Sequence, residues 1–308
     1  MAITAADVRR IHRMKRKKRD YTEWYGMKKA LLSYVGLPRF FPLRAHVQHG
    51  AGMIYRNDVP DPHVLETTYQ NIFLCNKYQR EICKQYLPKK DIYVVGSIFP
   101  LYRQQQGIIQ DENAEGTLFF PAHSSESIEV YDDVEKILNI LEQLPDYLKP
   151  VKVSIYYTDL LRGLHEVYEK NGYETFTSGH RNDVTFVDSF YQTLKSAKFA
   201  MGTTLGSQTY YAVEMGIPYF IVSDVPKHIN RSNKYLPEGL LKVKDRVKHG
   251  YTKHDEARSL FIKNDFKHPV STTEEQRSFV HHSIGYYDKI SREELQKIVL
   301  RTVFRASM

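Results

Sequence analysis

GTTLGSQTYYAVEMGIPYFIV, Gly202 to Val222, puts small residues, a helical segment, Gly-Ile-Pro and an apolar run in a single line. Gly-Ser is helix-start chemistry, and Gly followed by Pro is a helix stop. The apolar run IPYFIV is strand-like, and so is KFAMGTT just before the quoted stretch. The spacing therefore predicts strand, turn, helix, strand, the unit of a parallel sheet. Met201 to Thr204 falls at the carboxyl end of the first strand, where open α/β sheets bind ligands. Gly206 and Ser207 then open a helix whose free N–H groups could cradle a phosphate. Plain strand–turn–helix punctuation with a Ser cap explains the same residues.

The rhythm extends upstream. TLFFPAHS reads as a strand, YDDVEKILNILEQL as an amphipathic helix and VKVSIYYTD as a strand. LLRGLHEVYEKNG is a helix ended by Gly172, YETFTSG a strand and DVTFVDSFYQTLKSA a helix. Together these give a Rossmann-like unit of about five strands between residue 117 and roughly residue 225. A shorter series precedes it: RAHVQHGAG, NIFLC and DIYVVGSIF as strands, with NKYQREICKQYL as a helix. QQQGIIQDENAEG, residues 104–116, is polar and aperiodic and reads as a linker. The expected fold class is α/β, with two Rossmann-like domains (1–112 and 113–308) facing a central cleft. Two C-terminal helices, the last of which could pack back on the first domain, complete it. Residues 1–35 read as one basic helix ending at Gly36-Leu37-Pro38, and residues 226–260 as basic and irregular.

The chain has 308 residues, 42% of them apolar, enough for one large or two ordinary cores. A net charge of +8 favours anionic partners, and RRIHRMKRKKRD concentrates the positive charge near the N-terminus. That helix could rest on an anionic membrane surface or simply be solvated. No run approaches the length of a membrane span and no signal peptide is visible, so a cytoplasmic or inner-face peripheral location is expected. Cys75 and Cys83 lack metal-ligand spacing, and no D-x-D, Walker A or G-x-G-x-x-G pattern occurs. No metal and no cofactor are therefore expected, and the acidic YDDVE, residues 131–135, reads as helix N-terminal charge.

The segment Met201–Val222 resembles the nucleotide-binding segment of GT-B type glycosyltransferases, in which a small-residue turn, a helix and G-x-P flank the donor phosphates. Bacterial capsule and lipopolysaccharide enzymes are the branch it looks most like. Many members place a ribose-binding Glu five residues before the helix-ending Gly. This chain has Tyr211 there, and Glu214 is out of register. The resemblance implies a nucleotide-sugar donor, a glycan or lipid-linked acceptor and no bound metal. By its implication His123, Ser124, Ser178, Gly179, Arg181, Thr204, Gly206 and Ser207 bind the donor. His123 and Ser124 follow the strand of FFPAHSSES, although Ser-Ser-Glu-Ser is equally good capping chemistry. Arg181, in TFTSGHRND, suits a diphosphate because guanidinium pairs with phosphate bidentately.

QHGAG, Gln48 to Gly52, more weakly resembles the His-Gly segment of CDP-glycerol glycerophosphotransferases. There the His takes the acceptor hydroxyl proton, which suits an imidazole titrating near neutrality. His49 is the expected base, with His46, Gly50 and Gly96 on the acceptor side and His46 a substitute base. Tyr157 and Asp159 could also face the cleft. Alditol-phosphate transfer is the alternative enzymatic function. A basic nucleic-acid-binding protein is a third, disfavoured because the charge sits at one end without a recognition motif. A catalytically dead scaffold of the same fold is a fourth.

Overall fold

The computed structural model describes residues 3–17, 19–51, 60–222, 226–232, 238–241, 254–263, 265, 266 and 268–303. In chain order the first half runs α1 (Ala5–Lys15), a 3-10 segment (Tyr21–Gly26), α2 (Met27–Tyr34), β1 (Ala45–Val47) and α3 (Pro62–Leu65). It continues with β2 (Asn71–Leu74), α4 (Lys77–Tyr86), β3 (Asp91–Val94) and α5 (Ile98–Gln105). The second half runs β4 (Glu115–Phe120), β5 (Ile128–Tyr131), α6 (Val134–Glu142), β6 (Val151–Ser154), α7 (Tyr157–Leu160) and α8 (Leu164–Lys170). Then come β7 (Glu174–Phe176), α9 (Phe186–Leu194), β8 (Ala197–Gly202), α10 (Ser207–Glu214) and β9 (Tyr219–Ile221). β10 (Lys227–Asn230), β11 (Gly239–Leu240), α12 (His254–Ser259), α13 (Glu274–Ser283) and α14 (Arg292–Arg301) close the described chain.

The fold is mixed α/β. One sheet has the order β1-β2-β3 and a second the order β7-β6-β4-β8-β9. Every pairing in both is parallel. In the larger sheet the chain begins at central β4, winds outward to β7, then returns to β8 on the other side. Its crevice therefore lies between the carboxyl ends of β4 and β8, where successive connections diverge to opposite sides. The strand readings hold there because the central strands β4 and β8, with β9, are largely apolar and buried, while β6 and β7 toward the other edge alternate buried and half-buried residues.

One apolar core serves both sheets. Val47, Phe73 and Val95 of the small sheet pack in the same cluster as Phe120, Ala200, Tyr211 and Ile221 around the large one. α2, α5, α9 and α10 supply the layer between them. A second cluster covers the far face of the large sheet, with Ile137 and Leu141 of α6 against Val153, Phe199 and Met201. Val64, Ile72, Leu74 and Cys83 cover the outer face of the small sheet.

The C-terminal helices bridge the two sheets: α13 packs on α10, with Phe279 stacked on Tyr210 at 5.8 Å, and the chain after it reaches the small sheet. Ser97 N–H donates to the Ile284 carbonyl at 2.8 Å, and Asn76 Nδ2 to the Ser283 carbonyl at 2.8 Å. Gln296 Nε2 reaches the Val35 carbonyl at 2.7 Å. Between α13 and α14 the chain turns at Gly285, with φ +68°, and a Cβ there would sit 1.8 Å from the Cys75 carbonyl oxygen. Gly96 belongs to the same contact: its φ is +79° and a Cβ would meet Lys289 at 3.3 Å.

Several segments differ from expectation. Residues 1–35 are two helices, not one. Asp20 accepts from Thr22 N–H at 2.9 Å, Trp24 is extended, and Tyr25 and Gly26 have φ of +57° and +76°. Burying Trp24 and passing Gly26 under the Val184 carbonyl override the local helical preference. The basic first helix packs on the large sheet's unit: Ile11 is buried in its core, and Arg10 Nε pairs with Asp183 at 2.7 Å. YTDL, Tyr157–Leu160, forms the one-turn α7, and the strand stops at Ser154. IFPLYRQQ is a helix, and the linker shrinks to residues 106–114. There Asp111 N–H donates to the Lys195 carbonyl at 2.9 Å. Ser125 closes a turn rather than capping a helix, and the next residues form β5. β5 pairs antiparallel with β10, which lies in the stretch expected to be irregular. Gly52 and most of 233–253 lie outside the described residues.

His46 sits inside β1 and is 2% exposed, so it belongs to the core rather than to an acceptor face. Burial, with His49 beside it, pushes its imidazole down from 6.5 to about 4. The unfolded chain then binds the proton more readily than the folded one. Stability is fully present above pH 6.5 and falls between 6.5 and 4 as the unfolded state gains its proton. Denaturant melts across that window are expected to lose about 3 kcal/mol through this group, and His46→Leu to remove that share of the slope. Gly285→Ala is expected to cost about 3 kcal/mol, against about 1 kcal/mol for Gly172→Ala, whose φ is also left-handed but whose Cβ would meet nothing. Urea unfolding of the two variants checks this.

Candidate functional site

The carboxyl ends of both sheets open on one cleft of about 290 Å³. From β4 come Phe120, Pro121 and His123, and from the start of α10 come Ser207 and Gln208. The loop after β7 adds Ser178 and Gly179. From the small sheet come Gln48, His49, Gly50 and Ala51 after β1, faced by Asp61 at the head of α3.

Two turns meet across it. Gly50 has φ +86°, and a Cβ built on it would lie 3.1 Å from Ser207 Oγ. Its carbonyl accepts from Ser97 Oγ at 3.2 Å, and Gln48 Oε1 accepts from Cys75 N–H at 2.9 Å. These bonds hold the His-Gly turn rigidly on the small sheet. On the other side Gly206 precedes α10, its N–H donating to Thr209 Oγ1 at 3.3 Å. A Cβ at 206 would meet only the end of the Gln208 side chain, at 2.5 Å, and the backbone there is extended.

The His49 ring lies among aromatic neighbours, 5.6 Å from Trp24, 5.5 Å from Tyr25 and 6.0 Å from His63 between centroids. Burial lowers its pKa, opposed by Asp61 and assisted by His63 and Arg181. The imidazole is thus neutral near pH 7 and able to accept a proton. Tyr25 and Tyr156 join hydroxyl to hydroxyl at 2.7 Å, and Tyr156 lies 4.3 Å from the His123 ring. Burial raises the Tyr25 pKa, so its hydroxyl stays protonated.

Of the residues expected from sequence, His49, Gly50, His123, Ser178, Gly179 and Ser207 stand together in the cleft wall. Others lie outside that wall. Ser124 is fully buried, its N–H donating to Asp159 at 2.8 Å and its Oγ accepting from Val130 N–H at 3.0 Å. It ties loops together and offers nothing to a ligand. Arg181 lies 3.9 Å over the Trp24 ring and pairs with Glu126 at 2.8 Å. Thr204 presents its carbonyl to the Tyr219 hydroxyl at 3.0 Å, and Gly206 stands one residue behind the wall. His46 and Gly96 are structural, as above. Tyr157 and Asp159 are buried, Tyr157 against the His180 ring at 4.1 Å.

Tyr25, Asp61, Tyr156 and Gln208 line the cleft without having been singled out by sequence. For Tyr156 a signal existed. Val151, Val153 and Ile155 are buried while Lys152 and Ser154 are half-buried, so alternation puts Tyr156 with Ser154 and turns Tyr157 inward. Asp61-Pro62 is likewise a helix-start pair, with Asp61 accepting from His63 N–H at 2.9 Å. Tyr25 had no such mark. Among the described residues no group of three His, Cys, Asp or Glu could hold a metal ion, and no helix is long and apolar enough to cross a membrane.

No protein-family model matches the chain, and no curated protein does. Among solved structures it is similar to TarM, with 13% identity over 89% of this chain and 53% of that one, at a TM-score of 0.33. A mutant of S. aureus TarM, solved with fondaparinux, alpha-GlcNAc-glycerol and UDP, gives 11% identity, the same coverage and a TM-score of 0.33. The GtfA/B complex gives 12% identity over 84% of this chain and 49% of that one, at a TM-score of 0.30. The chain spans about half the length of these structures.

Proposed function

We propose that the protein is a glycosyltransferase of GT-B type, moving a sugar from a nucleotide-sugar donor to a hydroxyl of a glycan or lipid-linked acceptor. The observation that supports this best is the meeting of the His49-Gly50 turn with Ser207 across one cleft. The donor would lie at the β4/β8 switch point, its diphosphate against the first turn of α10, where backbone N–H groups and the helix dipole favour negative charge. Ser178 and Gly179 would flank the nucleoside. The acceptor would enter from the small sheet. Neutral His49 would take the proton of the acceptor hydroxyl as its oxygen bonds the anomeric carbon. The bond from that carbon to the diphosphate would break, and the nucleotide would leave with the electron pair. Preorganised amides, rather than a metal, would carry the departing charge. Bacterial surface polysaccharide assembly is the setting this chemistry fits.

A thermal-shift panel of UDP, GDP, CDP, CMP and dTDP tests the donor side. One nucleotide is expected to raise Tm by mass action, and less so in Ser207→Ala. His49→Ala is expected to keep that shift and to lose transfer by about 10²–10⁴-fold, the usual contribution of a general base. Indifference to every nucleotide, or full transfer by His49→Ala, would sink the reading. Turnover of CDP-glycerol alone would move it to alditol-phosphate transfer.

A further inference from the structure

A second hollow, of about 240 Å³, lies away from the cleft between the end of β5 and the α7–α8 hairpin. Val130, Val134 and Leu164 give it apolar walls. Two polar groups border it. Asp132 Oδ2 accepts from Ala122 N–H at 3.1 Å and from the Thr203 hydroxyl at 3.0 Å. Its other oxygen, Oδ1, is buried and has no partner. Tyr168 is 0% exposed, packs edge-on to Phe119, and its hydroxyl also has no partner. A buried carboxylate oxygen and a buried phenol left unbonded each cost free energy that the fold does not recover.

Charge points the same way. Asp159, 6% exposed, borders the hollow and is a second carboxylate. Arg162 also lines the hollow, and its guanidinium is shared between Glu129 at 3.3 Å and Asp159 at 3.8 Å, which leaves the Asp132 charge unmatched. Glu129 is also held by Arg231 at 2.6 Å. Asp132 thus lacks a cationic partner among the described residues, and burial beside Asp159 pushes its carboxyl up to about 6. Two unbonded oxygens are too few for a hard metal ion, which takes six or more. A neutral alcohol would satisfy the hydrogen bonds but leave the charge.

We propose that this hollow binds a small primary alkylammonium ion, whose N–H groups donate to Asp132 Oδ1 and the Tyr168 oxygen while its alkyl body rests on Val130, Val134 and Leu164. The site is independent of the glycosyltransfer reading, because no residue of the cleft wall takes part.

The probe is n-propylammonium chloride, followed by saturation-transfer NMR and titration on the full chain, with n-propanol and tetramethylammonium as comparators. Saturable binding of n-propylammonium alone is expected, since n-propanol lacks the charge and tetramethylammonium the N–H donors. Asp132→Asn should weaken it about tenfold and Tyr168→Phe about fivefold, the scale of one charged and one neutral hydrogen bond. Tyr168→Phe keeps the ring and its packing, so it decides the matter even if Asp132→Asn fails to fold. Absence of saturation, equal affinity for either comparator, or Tyr168→Phe binding like the parent would overturn the proposal.

Discussion

Arg103 and Glu214 join the two sheets. The guanidinium on α5 meets the carboxylate on α10 twice, Nε to Oε2 at 2.9 Å and NH2 to Oε1 at 2.6 Å. The side chains are 11% and 2% exposed. Removing either partner would strand a charge in the interior, at a cost of about 3–5 kcal/mol. The pair fixes α10 relative to α5, which begins beside the small sheet at Ser97. That relation puts Ser207 against Gly50, so the cleft geometry descends from it. Glu214 thus has a structural task.

The N-terminal segment contributes a second fixture. Tyr25 holds a left-handed φ of +57°, the only non-glycine residue among those described to do so. Its N–H donates to the Arg181 carbonyl at 2.5 Å, and Gly26 passes under the Val184 carbonyl. A residue held this way usually reflects surroundings that over-determine it. Here the outcome is a tyrosine hydroxyl aimed at Tyr156 beside His123 and His49, on the boundary of the two sheets.

Legibility in the sequence followed physical contrast. β4, β8 and β9 were readable as largely apolar runs, β6 by its alternation and β7 by the glycines at 172 and 179 that flank it. β5 and β10, IEVY and KHIN, were not, since half of their residues are polar and their pairing is antiparallel at an edge. The break at residues 20–26 was hidden because no proline marks it, and the reason for it is burial of Trp24 far along the fold. In the site, the small-residue turns at Gly50, Gly179 and Ser207 were visible. Tyr25 was not, since nothing in its local sequence marks what it will face, whereas the alternation at Tyr156 and the Asp61-Pro62 pair were signals passed over. Ser124 misled because its hydroxyl chemistry serves the backbone of the neighbouring strand.

The common apolar layer has a further consequence. Severing the chain near residue 112 would leave Phe120, Ala200 and Tyr211 on one fragment and Val47, Phe73 and Val95 on the other, all buried within one cluster. Each fragment would show water a greasy face that its own helices cannot cover. The halves are thus neither modules to be shuffled nor jaws free to swing wide. Any molecule reaching the crevice must slip in past side chains and loops.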